Sequence, residues 1–151
     1  MSLAVRRAGV DDAEAIAPLF DAYRVFYGQR SDRAAARTFL SARLQRDESV
    51  ILLARHGDDI AGFTQLYPMF SSVALARTWI LNDLFVAATC RRAGVARALL
   101  GAAAEFARAD GALRLELETT PDNAGAQALY RSAGWQDYDG TMRFHLPLAP
   151  G

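Results

Sequence analysis

The sequence predicts one α/β (α+β) domain over residues 1–151: a mixed, mostly antiparallel sheet of about six or seven strands, with helices on both faces. Two observations predict it. Short apolar runs bounded by turn residues alternate with stripes of helical period. Their order is β-α-α-β-β-β-α-β-α-β-β, a strand meander followed by a β-α-β unit.

"LAVRRA" (Leu3 to Ala8) alternates as a short strand. Asp11 and Glu14 follow at capping-box spacing, ahead of a helix carrying Ile16, Leu19, Phe20, Tyr23, Phe26 and Tyr27. Ser31 or Asp32 caps a second helix through about Arg46, with Phe39, Leu40 and Leu44 facing inward. "SVILLARH", the turn "GDD" and "IAGFTQLYP" form a hairpin. "MFSSVALAR" is a loop or strand edge, and "TWILNDLFV" is a central strand. After Gly94, Val95, Leu99, Ala102, Ala103 and Phe106 make one helical stripe. "ALRLELET" alternates cleanly, "PDN" opens a helix that stops at Gly134, and "WQDYDG" and "TMRFHLPL" read as a closing strand pair.

Charge and composition exclude several classes. Seventeen basic residues balance seventeen acidic ones, so bulk charge points to neither nucleic acid nor membrane. All the basic residues are arginine; without lysine there is no Walker-type phosphate loop and no Schiff base. Cys90 is the only cysteine, and His56 and His145 lie far apart, so no metal-ligand pattern exists. No apolar run approaches the roughly 20 residues that span a bilayer, nor does the start read as a secretory signal. A reducing cytoplasm is the expected location.

The stretch "CRRAGVARALL" carries chemistry. A strand ending at Val86 feeds a turn and then a helix that begins near Gly94. The first N–H groups of a helix lack partners and carry partial positive charge, so they bind anions. Gly94 and Ala96 allow close backbone approach, and Arg91, Arg92 and Arg97 bring guanidinium groups suited to phosphate. A capped helix with solvated arginines is the alternative reading.

"RRAGVA" also fits a pattern of Arg or Gln, two residues, Gly, one residue, then Gly or Ala. With "LFVAAT" before it and "NAGAQALYRSAGW" (Asn123 to Trp135) after it, the chain resembles the GNAT superfamily of N-acetyltransferases over nearly its whole length. Ala88 stands where that family often has proline, and Ala96 where glycine is frequent. "LNDLFV" further resembles the diamine and histone acetyltransferase-like branch, a less specific likeness.

The resemblance implies acetyl-CoA as co-substrate, an amine acceptor, no metal, and a fold whose fourth and fifth strands splay apart. Pantetheine amides would pair with the backbone of Leu84, Phe85 and Val86. The pyrophosphate would rest on the N–H groups of the loop Arg91, Arg92, Ala93, Gly94, Val95, Ala96 and Arg97. Asn123 would reach the pantetheine region or cap its helix. Tyr130 matches the tyrosine that protonates the departing thiolate; a phenol of pKa near 10 suits that task. Asn82-Asp83 stands where branch members often carry Glu-Asp. Asn82 cannot be a base and would hold a water instead, and Asp83 is a candidate base. Strand alternation would turn Asp83 away from the cleft toward an arginine; Glu118 and Tyr67 are further candidates. Tyr23, Tyr27 and Tyr67 would line the acceptor pocket with Asn82. The resemblance also allows a homodimer through the apolar "MRFHLPL". A catalytically silent CoA-binding domain of the same fold is the alternative function.

Overall fold

The computed structural model describes residues 2–150. It divides after Glu118 into two compact units, described separately below.

The first unit is built on a five-stranded sheet with the order β1-β2-β3-β4-β5, comprising Leu3–Arg7, Val50–His56, Asp59–Ser71, Ala76–Val86 and Leu115–Glu116. The first four strands form an antiparallel meander, and β5 pairs with β4 in parallel. Helices α1 (Ala13–Phe26) and α2 (Arg33–Gln45) cover one face. Their Ile16, Phe20, Ala36 and Leu40 pack on Ile51, Leu53 and Phe63 of the sheet. Helix α3 (Val95–Ala109) covers the other face and buries Val95, Leu99, Leu100, Ala103 and Ala107. Both faces of β2 and β3 are therefore covered, which explains their nearly continuous burial.

Gly62 sets the distance between β3 and α3. A side-chain carbon there would lie 2.9 Å from the Phe85 carbonyl oxygen and 3.0 Å from Val95 Cγ1. Only a residue without Cβ lets helix and sheet approach so closely.

Several local readings change. The acidic contact before α1 is Asp12, not Asp11: its carboxylate accepts from Gly9 N–H at 2.7 Å and pairs with Arg6 at 2.8 Å. This places Asp12 rather than Glu14 as the third residue of the box, because the first turn is a short 3-10 helix over Val10–Asp12. Asp32 caps α2, accepting from Ala35 N–H at 3.0 Å. Ser31 instead donates to the buried Asp21 at 2.6 Å, and Asp32 N–H donates to Asp21 at 2.7 Å. That hydrogen bonding, led by Ser31, holds the Asp21 carboxyl below its ordinary range and ties the α1–α2 loop to α1. Phe39 is partly exposed rather than fully inward, stacking on Phe20 at 6.0 Å. "MFSSVALAR" is mostly strand: β3 runs on to Ser71 and β4 begins at Ala76, around a turn with Leu75 at φ 54°.

The second unit holds α4 (Ala124–Ser132). Asn123 caps it, accepting from Ala126 N–H at 3.2 Å. Gly134, at φ 96°, ends it as expected; Trp135 N–H donates to the Tyr130 carbonyl at 3.0 Å.

The expected sheet of six or seven strands is corrected to five among the described residues. "WQDYDG" and "TMRFHLPL" contain no strand. Alternation supplies a face, but a strand also needs ladder partners, and Pro147 and Pro150 bring no backbone donor. Met142, Phe144, Leu146 and Leu148 are each more than four-fifths exposed. β5 is likewise only Leu115–Glu116, with Leu113 half exposed outside it.

Candidate active site

Strand β4 carries the centre of the site. It pairs with β3 along its length but with β5 only at Trp79↔Leu115 and Ile80↔Glu116. Beyond Ile80 its outer edge has no strand partner among the described residues, so the backbone of Leu84, Phe85 and Val86 lies on an open edge. An unpaired row of N–H and C=O groups is suited to an extended ligand that carries amides.

A bulge re-aims this strand. Gln65 pairs with Asp83 and Leu66 with Leu81, so Asn82 has no partner on β3. Without the bulge Asp83 would share the face of Leu81. With it, Asp83 moves to the face of Phe63 and Gln65, the side of α1 and α2. Regular alternation therefore misplaces Asp83, and the expected arginine partner is replaced by two amides. Gln65 Nε2 donates to Asp83 Oδ2 at 2.9 Å, and Asn82 Nδ2 donates to Oδ1 at 3.1 Å. Asp83 is only 7% exposed, whereas Asn82 is exposed.

Tyr67 lies two residues along β3 from Gln65. Burial, helped by the negative charge of Asp83, pushes its phenol up to about 12. A phenol raised in this way keeps its proton and can donate a hydrogen bond. Tyr23 packs edge-on against Phe63 at 5.8 Å, Phe85 at 5.5 Å and Tyr27 at 5.1 Å. Tyr23 is thus part of an aromatic wall between α1 and the sheet, while Tyr27 is 58% exposed at its end.

Past Val86 the chain makes a 3-10 turn over Ala88–Cys90 and enters the loop ahead of α3. Arg92 and Gly94 both have left-handed backbone, φ 65° and 77°, while Arg91 is extended. Such a local reversal beside a helix start can turn successive N–H groups to one side, a nest for an anion. A non-glycine residue in this region is strained, and such strain concentrates at ligand sites. The N-cap of α3 is Gly94, which has no side chain to cap the first turn. The Arg91 guanidinium lies 5.6 Å from the centre of the Phe85 ring, which ties the loop to the end of β4. Ala93, Val95, Ala96 and Arg97 complete the stretch; Val95 is buried against the sheet, while its neighbours Gly94 and Ala96 remain accessible. Cys90 Sγ lies 3.7 Å from Thr89 Oγ1. No group of three or more potential metal ligands occurs among the described residues.

In the second unit, Tyr130 lies on α4 with its ring 6.3 Å from that of Trp135, and Asn123 serves as the helix cap. Sequence reasoning missed Ser49 and Gln65. Their signal was available: a glutamine inside "IAGFTQLYP" sits in an otherwise apolar strand, where a buried polar group demands partners.

The comparisons with known proteins name the family. The model of the "Acetyltransferase (GNAT) family" matches residues 16–135. The chain is 47% identical over 142 residues to the "Uncharacterized N-acetyltransferase YhfO" of Bacillus subtilis (strain 168), covering 94% of this chain and 95% of that one. It is 35% identical to a "Probable acetyltransferase" of Haemophilus influenzae, over 70% of this chain and 73% of that one. A crystal structure of a probable acetyltransferase superposes with a TM-score of 0.93 at 41% identity, covering 98% and 99% of the two chains. The chain belongs to the GNAT family and is an N-acetyltransferase. No helix among the described residues is long and apolar enough to cross a membrane.

Proposed function

We propose that this protein, as a single acetyltransferase domain, moves the acetyl group of acetyl-CoA onto a primary amine of a small molecule or peptide. Transfer is by direct attack in a ternary complex. The loop with two left-handed residues, Arg92 and Gly94, opening onto the uncapped start of α3, carries this reading. Backbone N–H groups there suit a pyrophosphate, and Arg91, Arg92 and Arg97 add charge. The open edge at Leu84, Phe85 and Val86 suits the amides of pantetheine.

Asp83 takes the proton that the amine loses as its nitrogen bonds to the thioester carbonyl carbon. The carbon–sulfur bond then breaks, and the Tyr130 hydroxyl gives its proton to the departing thiolate. The acceptor lies against Tyr23, Tyr27, Tyr67 and Asn82. The exposed Met142, Phe144, Leu146 and Leu148 offer contact area to a second copy of the chain. The test of the acid is Tyr130→Phe: CoA binding by calorimetry stays within about two-fold while turnover falls about 100-fold or more, the usual scale for a lost general acid. Unchanged turnover removes Tyr130 from the mechanism.

A further inference from the structure

Behind Asp83 lies a buried polar line that nothing in the general acetyl-transfer chemistry requires. Ser49, just before β2, is 4% exposed and donates through Oγ to Gln65 Oε1 at 2.8 Å. Gln65 has no exposed surface and donates through Nε2 to Asp83 Oδ2 at 2.9 Å. Each member fixes the next. A carboxylate only accepts, so the glutamine must present its nitrogen to Asp83. Its oxygen then needs a donor, and the Ser49 hydroxyl is that donor. Tyr67 lies two residues further along β3, on the same face as Gln65. The amide thus ties the Asp83 carboxylate of β4 to Ser49 ahead of β2.

A glutamine with no exposed surface, in a strand that otherwise favours Ile, Leu and Phe, costs stability unless it is fully bonded. The nearby charged groups do not replace it. Arg43 of α2 pairs with Glu48 at 2.9 Å, and no ion pair reaches Asp83 among the described residues. The other facing groups are the Tyr67 phenol on β3 and Asn82 on β4 itself. From α1 the same face receives the aromatic rings of Phe20 and Tyr23.

We infer that Gln65, keyed by Ser49, is the positioning residue of the site: its amide, held by the Ser49 hydroxyl, keeps the Asp83 carboxylate aimed without an ion pair. The inference rests on the proposed role of Asp83 as base. It predicts an effect on proton chemistry beyond folding. Removing the Gln65 donor leaves a buried carboxylate with one amide, so its charged form is disfavoured and its titration moves to higher pH. On the acid limb, each unit of that movement lowers kcat/KM about ten-fold at fixed pH.

The experiment follows the Asp83 carboxyl carbon by NMR, assigned with Asp83→Asn, alongside the pH profile of amine acetylation. Gln65→Leu raises the midpoint by about one unit or more, and Ser49→Ala raises it less. Ser49→Thr, which keeps the hydroxyl, returns it to the wild-type position. Should Gln65→Leu fold poorly, the two Ser49 variants carry the test. A midpoint unmoved in folded Gln65→Leu or Ser49→Ala protein overturns the inference, even if melting temperature drops. The reading beneath it is judged separately: Asp83→Asn with full turnover refutes the base assignment, whatever the NMR midpoints do.

Discussion

Replacing Gly62 with alanine probes the contact on which sheet, helix and site all depend. The added methyl would stand 2.9 Å from the Phe85 carbonyl oxygen, 3.0 Å from Val95 Cγ1 and 3.3 Å from Leu99 Cδ1. The first contact is with backbone, which cannot rotate away as a side chain can. Either β4 shifts at Phe85 or α3 lifts at Val95. Overpacking of this kind costs about 1–3 kcal/mol. Loss of a flexible glycine from the unfolded chain returns only about 0.4–1 kcal/mol. The steric effect therefore wins, by about 1–2 kcal/mol net. For a chain of this size that is a fall of about 2–8 °C in Tm, read by calorimetry. Phe85 belongs to the edge assigned to pantetheine and Val95 to the loop assigned to pyrophosphate, so CoA affinity should fall as well. A Tm within about 1 °C of wild type, with unaltered CoA binding, would refute the packing argument.

Other outcomes follow from single residues. Gly94→Ala has room for its methyl but holds φ at 77°, so it costs about 1–2 kcal/mol of stability by thermal melting and weakens CoA binding. Arg92→Gly has opposite effects on the two measurements: relief of the left-handed strain raises Tm, while loss of the guanidinium lowers CoA affinity. Asp12 is held down to about 2, first by its bond to Arg6 and then by Gly9. Its lowered value means that its stabilisation is complete above the unfolded carboxyl range and is lost as pH falls from about 4 to about 2. With Arg6 nearly half exposed, solvent screening leaves about 1 kcal/mol of that effect, so denaturant midpoints of wild type and Asp12→Asn should converge near pH 2.

The sequence makes the helices legible because their signals are local. Asp32, Asn123 and Gly134 occupy the caps that their types favour, and the α3 stripe faces the sheet as its period requires. The start of α3 just after Gly94 is legible because a helix start after a strand needs no tertiary information. Asp83 is not legible in orientation, because a bulge at Asn82 depends on the register with β3. Gln65 and Ser49 escape notice for a related reason: they are sixteen residues apart and meet only across the sheet. The final apolar alternation shows the limit of pattern reading. Met142, Phe144, Leu146 and Leu148 have a strand's period but no ladder.

The most direct test of the account measures free thiol released from acetyl-CoA by the purified protein across polyamines, amino acids, aminoglycosides and peptides. The account predicts release that depends on both protein and a primary amine, saturates with that amine, and yields the N-acetylated product by mass. CoA-induced thermal stabilisation without release for any acceptor would contradict it and would instead identify a catalytically silent CoA-binding domain.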